Sequence, residues 1–588
     1  MTNIDSATST LPSDLPIPAT ELHYADPAAN AQSLTFTAFV DHIHYPTLGC
    51  PAFLKPEAPL QLLLSLPAGM DPGGATVELS SRHTPAVGVH RLSILNAAES
   101  LGRGPDGARA LWRVWVATDN VPAALFDVKV TCGGCEEVQY NAVRIYESIT
   151  GTEPVILCGD PQYNVKNKIC LERFIAQVNE LDVAWIAMAG DVVDCGVKSK
   201  RNIVLLAIKA GHHTVVHYYE REYREAHELL RQLRHPVRLI PGNHDGICAY
   251  KNYARGTATD VFVGPDPANE VAYDGLHHFR RTFGPLYHRF DWAGTRYICL
   301  NTFELDRHQR LGFHAIVSNW GGWMREEQIA WMESELKDAS RQNMNKVIVA
   351  HHDLRGGCEG KQLGQYHKFR SYKLNNPLRI MRSYLAYVFG DGRGRWQQEW
   401  MTHAKSDLAQ HPARRILTAL LEHKVFAVIM GHDNVNWIDS YYQGDDLFAT
   451  DPATIKYATR ADVQDDALVE ELIDALDTED GARLAELLER GDEDHLEAAL
   501  TVALDELGRA EEHAERTYSA SAKEWGLDVG AAIHFVHVDD LGAYKHSEEK
   551  HFSRYGFVLA SLVQGLPVEV QSVHTSGGQG RVTQLLTE

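Results

Sequence analysis

The hydrophobic and polar positions follow two different patterns along the chain. Between about Ser33 and Thr150, short runs mix apolar and polar residues, namely SLTFTAF, LQLLLSL, ATVELSS, ALWRVWVA and LFDVKVTC. A period of two is typical of half-buried strands, and the breaks MDPGG, GRGPDG and CGGC predict turns between them. From Glu153 onward, compact apolar runs alternate with amphipathic stretches such as MREEQIAWMESELKDA, which predicts strands separated by helices.

These two patterns predict two domains. They follow a predicted disordered tail at residues 1–32, which is rich in Ser, Thr, Pro and Asp. Several strands at short spacing favour a β-sandwich of immunoglobulin or fibronectin type III character at residues 33–150, with a structural or interaction role. The later alternation predicts an α/β domain at residues 151–588, closed by a strand pair with a Gly-Leu-Pro turn. Functional residues of such domains gather at strand ends.

Two insertions interrupt the α/β alternation. The first, residues 355–412, is basic, since 355–395 carries nine Lys plus Arg against two acidic residues. We expect it to cap a cleft and bring Arg or Lys to a substrate phosphate. The second, residues 455–528, is acidic and has helical periodicity, with 20 Asp plus Glu against 4 Lys plus Arg in 461–516. We expect short packed helices that serve as an interaction or solubility device.

Composition narrows the class of protein. The net charge of −22 argues against nonspecific nucleic-acid binding, although the basic insertion keeps nucleic-acid processing as a less favoured alternative. No apolar run approaches the roughly 20 residues of a membrane span, and the N-terminus lacks the pattern of a signal peptide. Nine cysteines without an export signal predict a cytoplasmic protein. Cys132 and Cys135 lack a second CxxC pair, so a tight turn is favoured there over a metal site.

Five predicted strand ends carry side chains of types that bind metal ions. Any one of them is weak, because a Gly-Asp after a strand is usually a turn, but five in one chain indicate a metal centre. A loop directly after a strand also gives a ligand rigid support. The residues are Asp160 after VILCG, Asp191 and Asp194 in AGDVVD, Asn243, His244 and Asp245 in PGNHD, His351 and His352 after VIVA, and His432 and Asn434 in MGHDN.

The ordered series GD, GDxxD, GNHD, a strand ending in His, and GH resembles the calcineurin-like metallophosphoesterase superfamily, which includes the purple acid phosphatases. The segments FGPLYHRFDWAGTRYICLNT and REEQIAWMESEL are similar to the family's segments between GNHD and the next histidine. The resemblance covers about residues 153–438 and the closing strands. It implies an α/β/β/α sandwich that hydrolyses a phosphomonoester or phosphodiester, with metal-bound hydroxide attacking phosphorus in line.

The resemblance also implies roles for the strand-end residues. Asp191 would bridge two metals, Asp160 would bind the first metal, and Asn243, His351 and His432 would complete the second site. His244 would support the transition state or protonate the leaving oxygen, with Asp245 orienting it. Asp194 would lie behind the ligands or in a surface turn. His352 is not the expected ligand, because the family's ligand directly follows the strand.

The chain departs from the family pattern at the first metal. The family usually has histidines where Gln162 and Asn434 stand, and both amides would serve that metal. Amide oxygens are neutral, harder and usually weaker ligands than imidazole for zinc or iron. We therefore expect one or two divalent ions, Mn, Fe or Zn, with Mg or Ca as alternatives at the first site.

Two classes of function follow for this site. The leading hypothesis is a metal-dependent phosphoester hydrolase acting on a phosphorylated small molecule. The alternative is a catalytically weak or inactive protein with the same fold that binds a phosphorylated ligand or a protein partner, the latter through the N-terminal sandwich or the acidic helices. Loss of both first-site histidines motivates the alternative, whereas the intact pair His244 and Asp245 argues against it.

Overall fold

The structure is a computed structural model that describes a defined part of the chain. The described residues are 16–18, 43–67, 69–98, 109–163, 168–194, 221–246, 248–250, 271–273, 276–304, 324–352, 354, 412–432, 437–441, 466–478, 483, 487, 499, 503, 533–538, 541, 556–574 and 579–584. The predicted strand SLTFTAF, the basic insertion up to residue 411 and most of the acidic insertion lie outside these residues.

The described residues form strands, helices and short 3₁₀ turns. The strands are β1 (Ile43–Tyr45), β2 (Ala52–Leu54), β3 (Leu60–Pro67), β4 (Thr76–Ser80), β5 (Val89–Leu92), β6 (Ile94–Ala98), β7 (Arg109–Val116), β8 (Ala124–Cys132), β9 (Cys135–Ile145), β10 (Val155–Cys158), β11 (Ile186–Met188), β12 (Val237–Leu239), β13 (Cys248–Tyr250), β14 (Val271–Tyr273), β15 (His288–Trp292), β16 (Thr295–Cys299), β17 (Asn345–Ala350), β18 (Ala427–Met430), β19 (Trp437–Tyr441), β20 (Ile533–His537), β21 (Gly556–Val563), β22 (Leu566–His574) and β23 (Gln579–Gln584). The helices are α1 (Lys168–Val178), α2 (221–230), α3 (His277–Phe283), α4 (Glu326–Arg341), α5 (Pro412–Glu422) and α6 (Asp466–Asp477).

Two sheets share one apolar core in the N-terminal part. Their strand orders are β1-β3-β7-β6 and β2-β9-β8-β4-β5. Buried side chains from both sheets, such as Leu64 on β3 and Phe126 on β8, belong to the same core. The CGGC stretch closes the β8–β9 hairpin, where Gly133 and Gly134 have φ values of 54° and 86°. The tight turn predicted there is confirmed, since two positive φ angles favour glycine in a two-residue hairpin loop.

Two six-stranded mixed sheets form the larger part of the fold. In the first, ordered β12-β11-β10-β21-β22-β23, strands β10, β11 and β12 run parallel and β21 is antiparallel to β10. In the second, ordered β15-β16-β17-β18-β20-β19, the four strands β16, β17, β18 and β20 run parallel. The predicted alternation of strands and helices is therefore confirmed as a mixed α/β fold.

The closing hairpin β21–β22 differs from the prediction in its turn. Val563 pairs with Leu566, so the turn residues are Gln564 and Gly565, not Gly-Leu-Pro. Both turn residues have positive φ, 50° and 76°, which suits a two-residue loop between twisted antiparallel strands. Leu566 and the proline after it already belong to β22.

Buried residues show how helices and sheets pack. Facing side chains of the two central sheets, among them Trp185, Trp292 and Val349, form one core between the sheets. Helices α1 and α2 share a second core with the first sheet, and α4 and α5 share a third with the second sheet. Helix α4 was predicted from its apolar spacing, and it buries Ile329, Met332, Leu336 and Ala339 on one face.

The N-terminal sheets cover the edge of the first central sheet at β12. The amide of Leu239 on this edge strand donates to the carbonyl oxygen of Gly49 at 2.9 Å. The side chain of Asn141 on β9 donates to the carbonyl oxygen of Leu233 at 2.9 Å. An uncovered edge strand presents backbone groups for unwanted pairing, so this contact protects the sheet that carries the candidate site.

Among the described residues, no helix is both long enough and apolar enough to cross a membrane.

Candidate metal centre

The strand ends of both central sheets meet at one end of the molecule. Asp160, Asp191 and Asn243 follow the parallel strands β10, β11 and β12, and His351 and His432 follow β17 and β18. The backbone amide of His432 donates to Oδ2 of Asp160 at 2.7 Å, which joins the two sheets directly. Asn434 lies outside the described residues. The other six predicted metal ligands, Gln162 among them, are buried.

Nε2 of His351 is the point on which the predicted ligands of the second metal converge. It lies 2.9 Å from Oδ1 of Asn243, 3.0 Å from Nδ1 of His432 and 3.3 Å from Oδ1 of Asp191. The side chain of Asn243 is completely buried, and His432 is 5% exposed. Groups of these types carry electron pairs, so a positive charge at this point would be strongly favoured.

The hydrogen bond on the other side of His351 defines what Nε2 can do. Nδ1 lies 2.7 Å from the carbonyl oxygen of Ala189, which only accepts, so Nδ1 carries hydrogen and Nε2 is left for a second proton or a cation. Burial acts against protonation, but the charges of Asp191 and Asp160 raise the pKa of His351 to about 9. Burial acts to raise the pKa of Asp191, yet His351 and His244 hold that pKa well below its usual range. A cluster that stabilises positive charge in this way fits a divalent cation.

A second group of ligand atoms lies on the side of Asp160. One oxygen from Asp160, one from Asp191 and one nitrogen of His351 all lie within 4.8 Å of one another, which also fits a cation. Gln162 is beside them, since its Nε2 donates to Oδ2 of Asp191 at 3.3 Å. The structure thus brings Gln162 to the carboxylate that was expected to bridge two metals.

The backbone at the site is strained, and its glycines are needed for close approach. Asp160, Asp191 and His432 have positive φ values of 50°, 54° and 73°, a region that costs free energy for residues other than glycine. A Cβ on Gly242 would lie 2.2 Å from Oδ1 of Asp191, and one on Gly431 would lie 2.7 Å from Oδ2 of Asp160. The GN and GH motifs therefore need glycine because the ligands occupy that space.

His244 lies at the rim of the ligand cluster. Its amide donates to Oδ1 of Asp191 at 2.7 Å, and its Nε2 is 3.9 Å from Oδ2 of Asp191. Its Nδ1 is 3.1 Å from Oδ1 of Asp194. Burial acts to lower the pKa of His244, but the negative charges of Asp191 and Asp194 raise it above the usual value. Asp194 is therefore the residue that holds the ring.

The contact expected between Asp245 and His244 needs correction. The Asp245 carboxylate instead accepts hydrogen bonds from the amides of Gly242, Val193 and Val192 at 2.8, 3.0 and 3.3 Å. Burial and the charge of Asp191 raise the pKa of Asp245 to about 7. Asp245 thus ties the GNHD loop to the AGDVVD loop, and the hydroxyl of Tyr223 reinforces it by donating to the Asp245 carbonyl at 2.5 Å.

His352 joins the cluster although it was not the expected ligand. One ligand atom from each of His351, His352 and His432 lies within 4.8 Å of the others, and all three histidines are buried. Thr302, which follows β16 in the LNTF stretch, holds the His352 ring, with its Oγ1 2.7 Å from Nδ1. The doubled histidine was the only sequence signal for this contact, and nothing in the sequence pointed to Thr302.

The fold and this cluster define a class of protein. Residues 153–436 match the family model described as calcineurin-like phosphoesterase. This match covers just under half of the chain and confirms, for that segment, the resemblance drawn from the five strand-end motifs.

The chain is also similar to individual proteins, with sequence identities of 25% or less. Glycerophosphodiester phosphodiesterase GpdQ of Enterobacter lignolyticus is 25% identical over 167 residues, which cover 28% of this chain and 41% of that relative. The match therefore spans less than half of the relative's length. A dimetal phosphatase from Danio rerio has 10% identity and a TM-score of 0.33, with 74% of this chain and 99% of that chain covered. The structure of PhoD has 8% identity and a TM-score of 0.37, with 94% and 90% covered.

Proposed function

We propose that the protein is a metal-dependent phosphoester hydrolase that acts on a phosphorylated small molecule. The observation that carries the proposal is the convergence of Asp191, Asn243 and His432 on Nε2 of His351, at 3.3, 2.9 and 3.0 Å. A buried set of carboxylate, amide and imidazole groups is a ligand set for Mn, Fe or Zn. The match of residues 153–436 to the calcineurin-like phosphoesterase model supports the same proposal.

Asp191 is proposed to bridge two cations, because its two oxygens face different sides of the site. Oδ1 is 3.3 Å from Nε2 of His351, whereas Oδ2 is 3.3 Å from Nε2 of Gln162. The first side would be completed by Asn243 and His432, and the second by Asp160, Gln162 and Asn434. Since two imidazoles are replaced by amides on the second side, that site is proposed to be the weaker one, with Mg or Ca as alternatives.

His244 is proposed to support the transition state or to protonate the leaving oxygen. Nδ1 of its ring donates to Asp194, so Nε2 is the atom that would hold or release a proton beside the ligands. Asp245 has a supporting role, because it fixes the loop on which His244 stands. A bound divalent ion would lower the pKa of water and neutralise charge on the phosphate oxygens.

The substrate class is proposed from the relative named above. GpdQ is named a glycerophosphodiester phosphodiesterase, so small phosphodiesters are the first class to test. Phosphomonoesters are the alternative within the same chemistry.

The test combines a panel of esters with metal analysis. The chelator-treated chain is offered Mn²⁺, Zn²⁺, Fe²⁺, Mg²⁺ or Ca²⁺, and hydrolysis of bis-4-nitrophenyl phosphate, 4-nitrophenyl phosphate and glycerophosphodiesters is measured. Turnover is expected only with metal, and Asp191→Ala and His244→Ala are expected to abolish it. Asp119→Ala, at an exposed aspartate of the N-terminal part, is the matched control and is expected to keep it. The double change Gln162→His with Asn434→His is expected to raise occupancy of the first site.

One result would refute the hydrolase and favour the binding protein. It is tight metal binding by the natural chain and by the Gln162→His, Asn434→His variant with no turnover of any ester.

We also propose the finer architecture. Two sheets on one core support an immunoglobulin- or fibronectin-like sandwich at 33–150, and helices on the outer faces of both central sheets support α/β/β/α layering of 151–588. A tail at 1–32, a cap at 355–412 and a cytoplasmic location remain proposals. Within the acidic insertion at 455–528, helix α6 buries Val469, Leu472 and Ala475, which supports packed helices there; their role as a partner surface is likewise proposed.

A further inference from the structure

The candidate metal centre contains one more imidazole than the family resemblance assigns as a ligand. The His352 side chain is completely buried, and its ring centre lies 4.2 Å from that of His432 and 4.7 Å from that of His351. The rings of His351 and His432 are also 4.7 Å apart. The three rings therefore form a compact triangle at the ends of β17 and β18.

The His352 ring is held in one orientation by its neighbours. Its Nδ1 lies 2.7 Å from Oγ1 of Thr302, and the same hydroxyl oxygen accepts a hydrogen bond from the His352 amide at 3.2 Å. The Phe303 ring stacks against it at 6.2 Å with an interplanar angle of 27°. Because Nδ1 contacts Thr302, Nε2 is the atom of this ring that would reach a cation. Ligand histidines typically have their second ring nitrogen hydrogen-bonded in this way.

The triangle is a polar arrangement in a buried place. Nδ1 of His432 and Nε2 of His351 face each other at 3.0 Å, and the ligand atoms of all three rings lie within 4.8 Å of one another. In a low-dielectric interior, two ring nitrogens at this distance repel unless a hydrogen or a cation lies between them, and one hydrogen can serve only one such pair. A single cation would satisfy all three rings at once.

We infer that His352 is an additional ligand of the second metal, so that three imidazoles hold this ion together with Asn243 and Asp191. The inference rests on the proposed function insofar as that function requires a cation at this end of the sheets. Three imidazoles favour Zn²⁺, Co²⁺ or Fe²⁺ over Mg²⁺ or Ca²⁺, which prefer oxygen. The chain would thus hold one ion tightly on the side of His351 and a second one weakly beside Gln162.

The direct test counts imidazoles around a metal in the natural chain. One equivalent of Zn²⁺ is added to the chelator-treated full chain, and zinc K-edge extended X-ray absorption is recorded. Three histidine ligands are expected. Two histidine ligands would overturn the inference, and this measurement does not depend on any variant folding.

Variants give a second readout. His352→Gln is expected to weaken Zn²⁺ binding, measured by competition with a chromophoric chelator, by at least about tenfold. Thr302→Val is expected to weaken it in the same direction, because the ring loses its hydroxyl partner. His90→Gln is the matched control, since Nε2 of this histidine contacts the Val87 carbonyl in the N-terminal part, and unchanged affinity is expected. Circular dichroism checks folding, and unchanged affinity in folded His352→Gln would contradict the inference.

Failure of this inference can be told apart from failure of the proposed function. Hydrolysis of phosphodiesters together with two imidazoles at zinc would support the proposed function and contradict the extra ligand. Three imidazoles at zinc without hydrolysis of any ester would support the extra ligand and contradict the proposed function. A natural chain that binds no zinc would overturn the extra ligand, and one that binds none of the five offered ions would refute both.

Discussion

Nδ1 of His244 and Oδ1 of Asp194 lie 3.1 Å apart, although 50 positions separate the two residues in the chain. The contact joins the loop after β12 to the loop after β11, and it fixes which ring nitrogen of His244 faces the ligand cluster. A carboxylate behind a histidine also favours the protonated ring. His244 is therefore positioned and charged by a residue from the neighbouring strand end.

Asp194→Asn is expected to lower kcat while leaving metal content unchanged. The ring of His244 would lose its charged partner, so the loss is expected to stay below the about 10²- to 10⁴-fold that a positioned acid contributes. The measurement is steady-state hydrolysis of a small phosphodiester together with metal analysis. A variant that retains the natural kcat would show that Asp194 has no part in positioning His244.

Asp245→Ala is expected to act on stability. The substitution would leave the amides of Gly242, Val193 and Val192 without their carboxylate acceptor, and each buried unpaired donor costs about 1–3 kcal/mol. Thermal unfolding is expected to shift well below that of the natural chain, with Asp119→Ala as the exposed control. Equal unfolding temperatures would mean that the backbone amides find other partners.

Gly242→Ala is expected to abolish metal binding or folding. Its Cβ would lie 2.2 Å from Oδ1 of Asp191 and 2.7 Å from Nε2 of His351, so both ligands would have to move. Gly74→Ala is the matched control, because nothing lies within 4 Å of the corresponding Cβ position there. Metal titration followed by calorimetry distinguishes the two variants, and equal behaviour would contradict the close approach at Gly242.

The sequence was sufficient to predict which strand-end residues come together, because their positions depend on local features; their role as metal ligands stays a prediction. Asp160, Asp191, Asn243, His351 and His432 each lie within four residues of the end of an apolar strand, and parallel strands bring their carboxyl ends to one edge. Apolar spacing in α4 likewise predicted a helix and its buried face.

The remaining contacts at the site depend on distances that local patterns do not contain. Thr302 reaches His352 across two neighbouring strands, and the side chain of Asp194 turns to His244 from another loop. Asp194 and not Asp245 contacts the His244 ring, because the Asp245 carboxylate already accepts hydrogen bonds from backbone amides. A sequence pattern cannot tell which of two carboxylates a nearby loop will engage.

The contact between the N-terminal sheets and the strand before GNHD also could not be predicted from the sequence. The guanidinium of Arg238 on β12 lies 4.4 Å from the ring centres of both Phe53 and Phe290. Its Nη1 also lies 3.2 Å from Sγ of Cys50. Arg238 is thus held between the N-terminal part and the second central sheet.

Arg238→Met is expected to lower the free energy of unfolding by about 1–4 kcal/mol, since two buried cation–π contacts of about 0.5–2 kcal/mol each are lost. Arg238→Lys is not expected to restore it, because an ammonium lacks the flat face that stacks between two rings. Denaturant unfolding measures the effect. The exposed pair of Arg91 and Glu78 supplies the control Arg91→Met, for which a change below about 1 kcal/mol is expected. A loss no larger than that of the control would contradict the role assigned to Arg238.

His227 on α2 provides a test of pH dependence away from the metal ligands. Burial and the positive charges of Arg231 and Arg82 lower the pKa of His227 to about 4 in the folded chain. In the unfolded chain the pKa is about 6.5. Between about pH 6.5 and 4, the unfolded state therefore binds a proton at His227 that the folded state does not bind. The free energy of unfolding is therefore expected to fall as pH drops from about 6.5 to about 4, by on the order of 3 kcal/mol from this residue.

His227→Gln removes the titrating group and is expected to flatten this part of the profile by one proton, as measured by denaturant unfolding at several pH values. Above pH 7 the variant shows the packing effect of the substitution alone, which serves as the internal control. Parallel profiles of the two proteins between pH 4 and 6.5 would show that His227 takes up its proton equally well in both states.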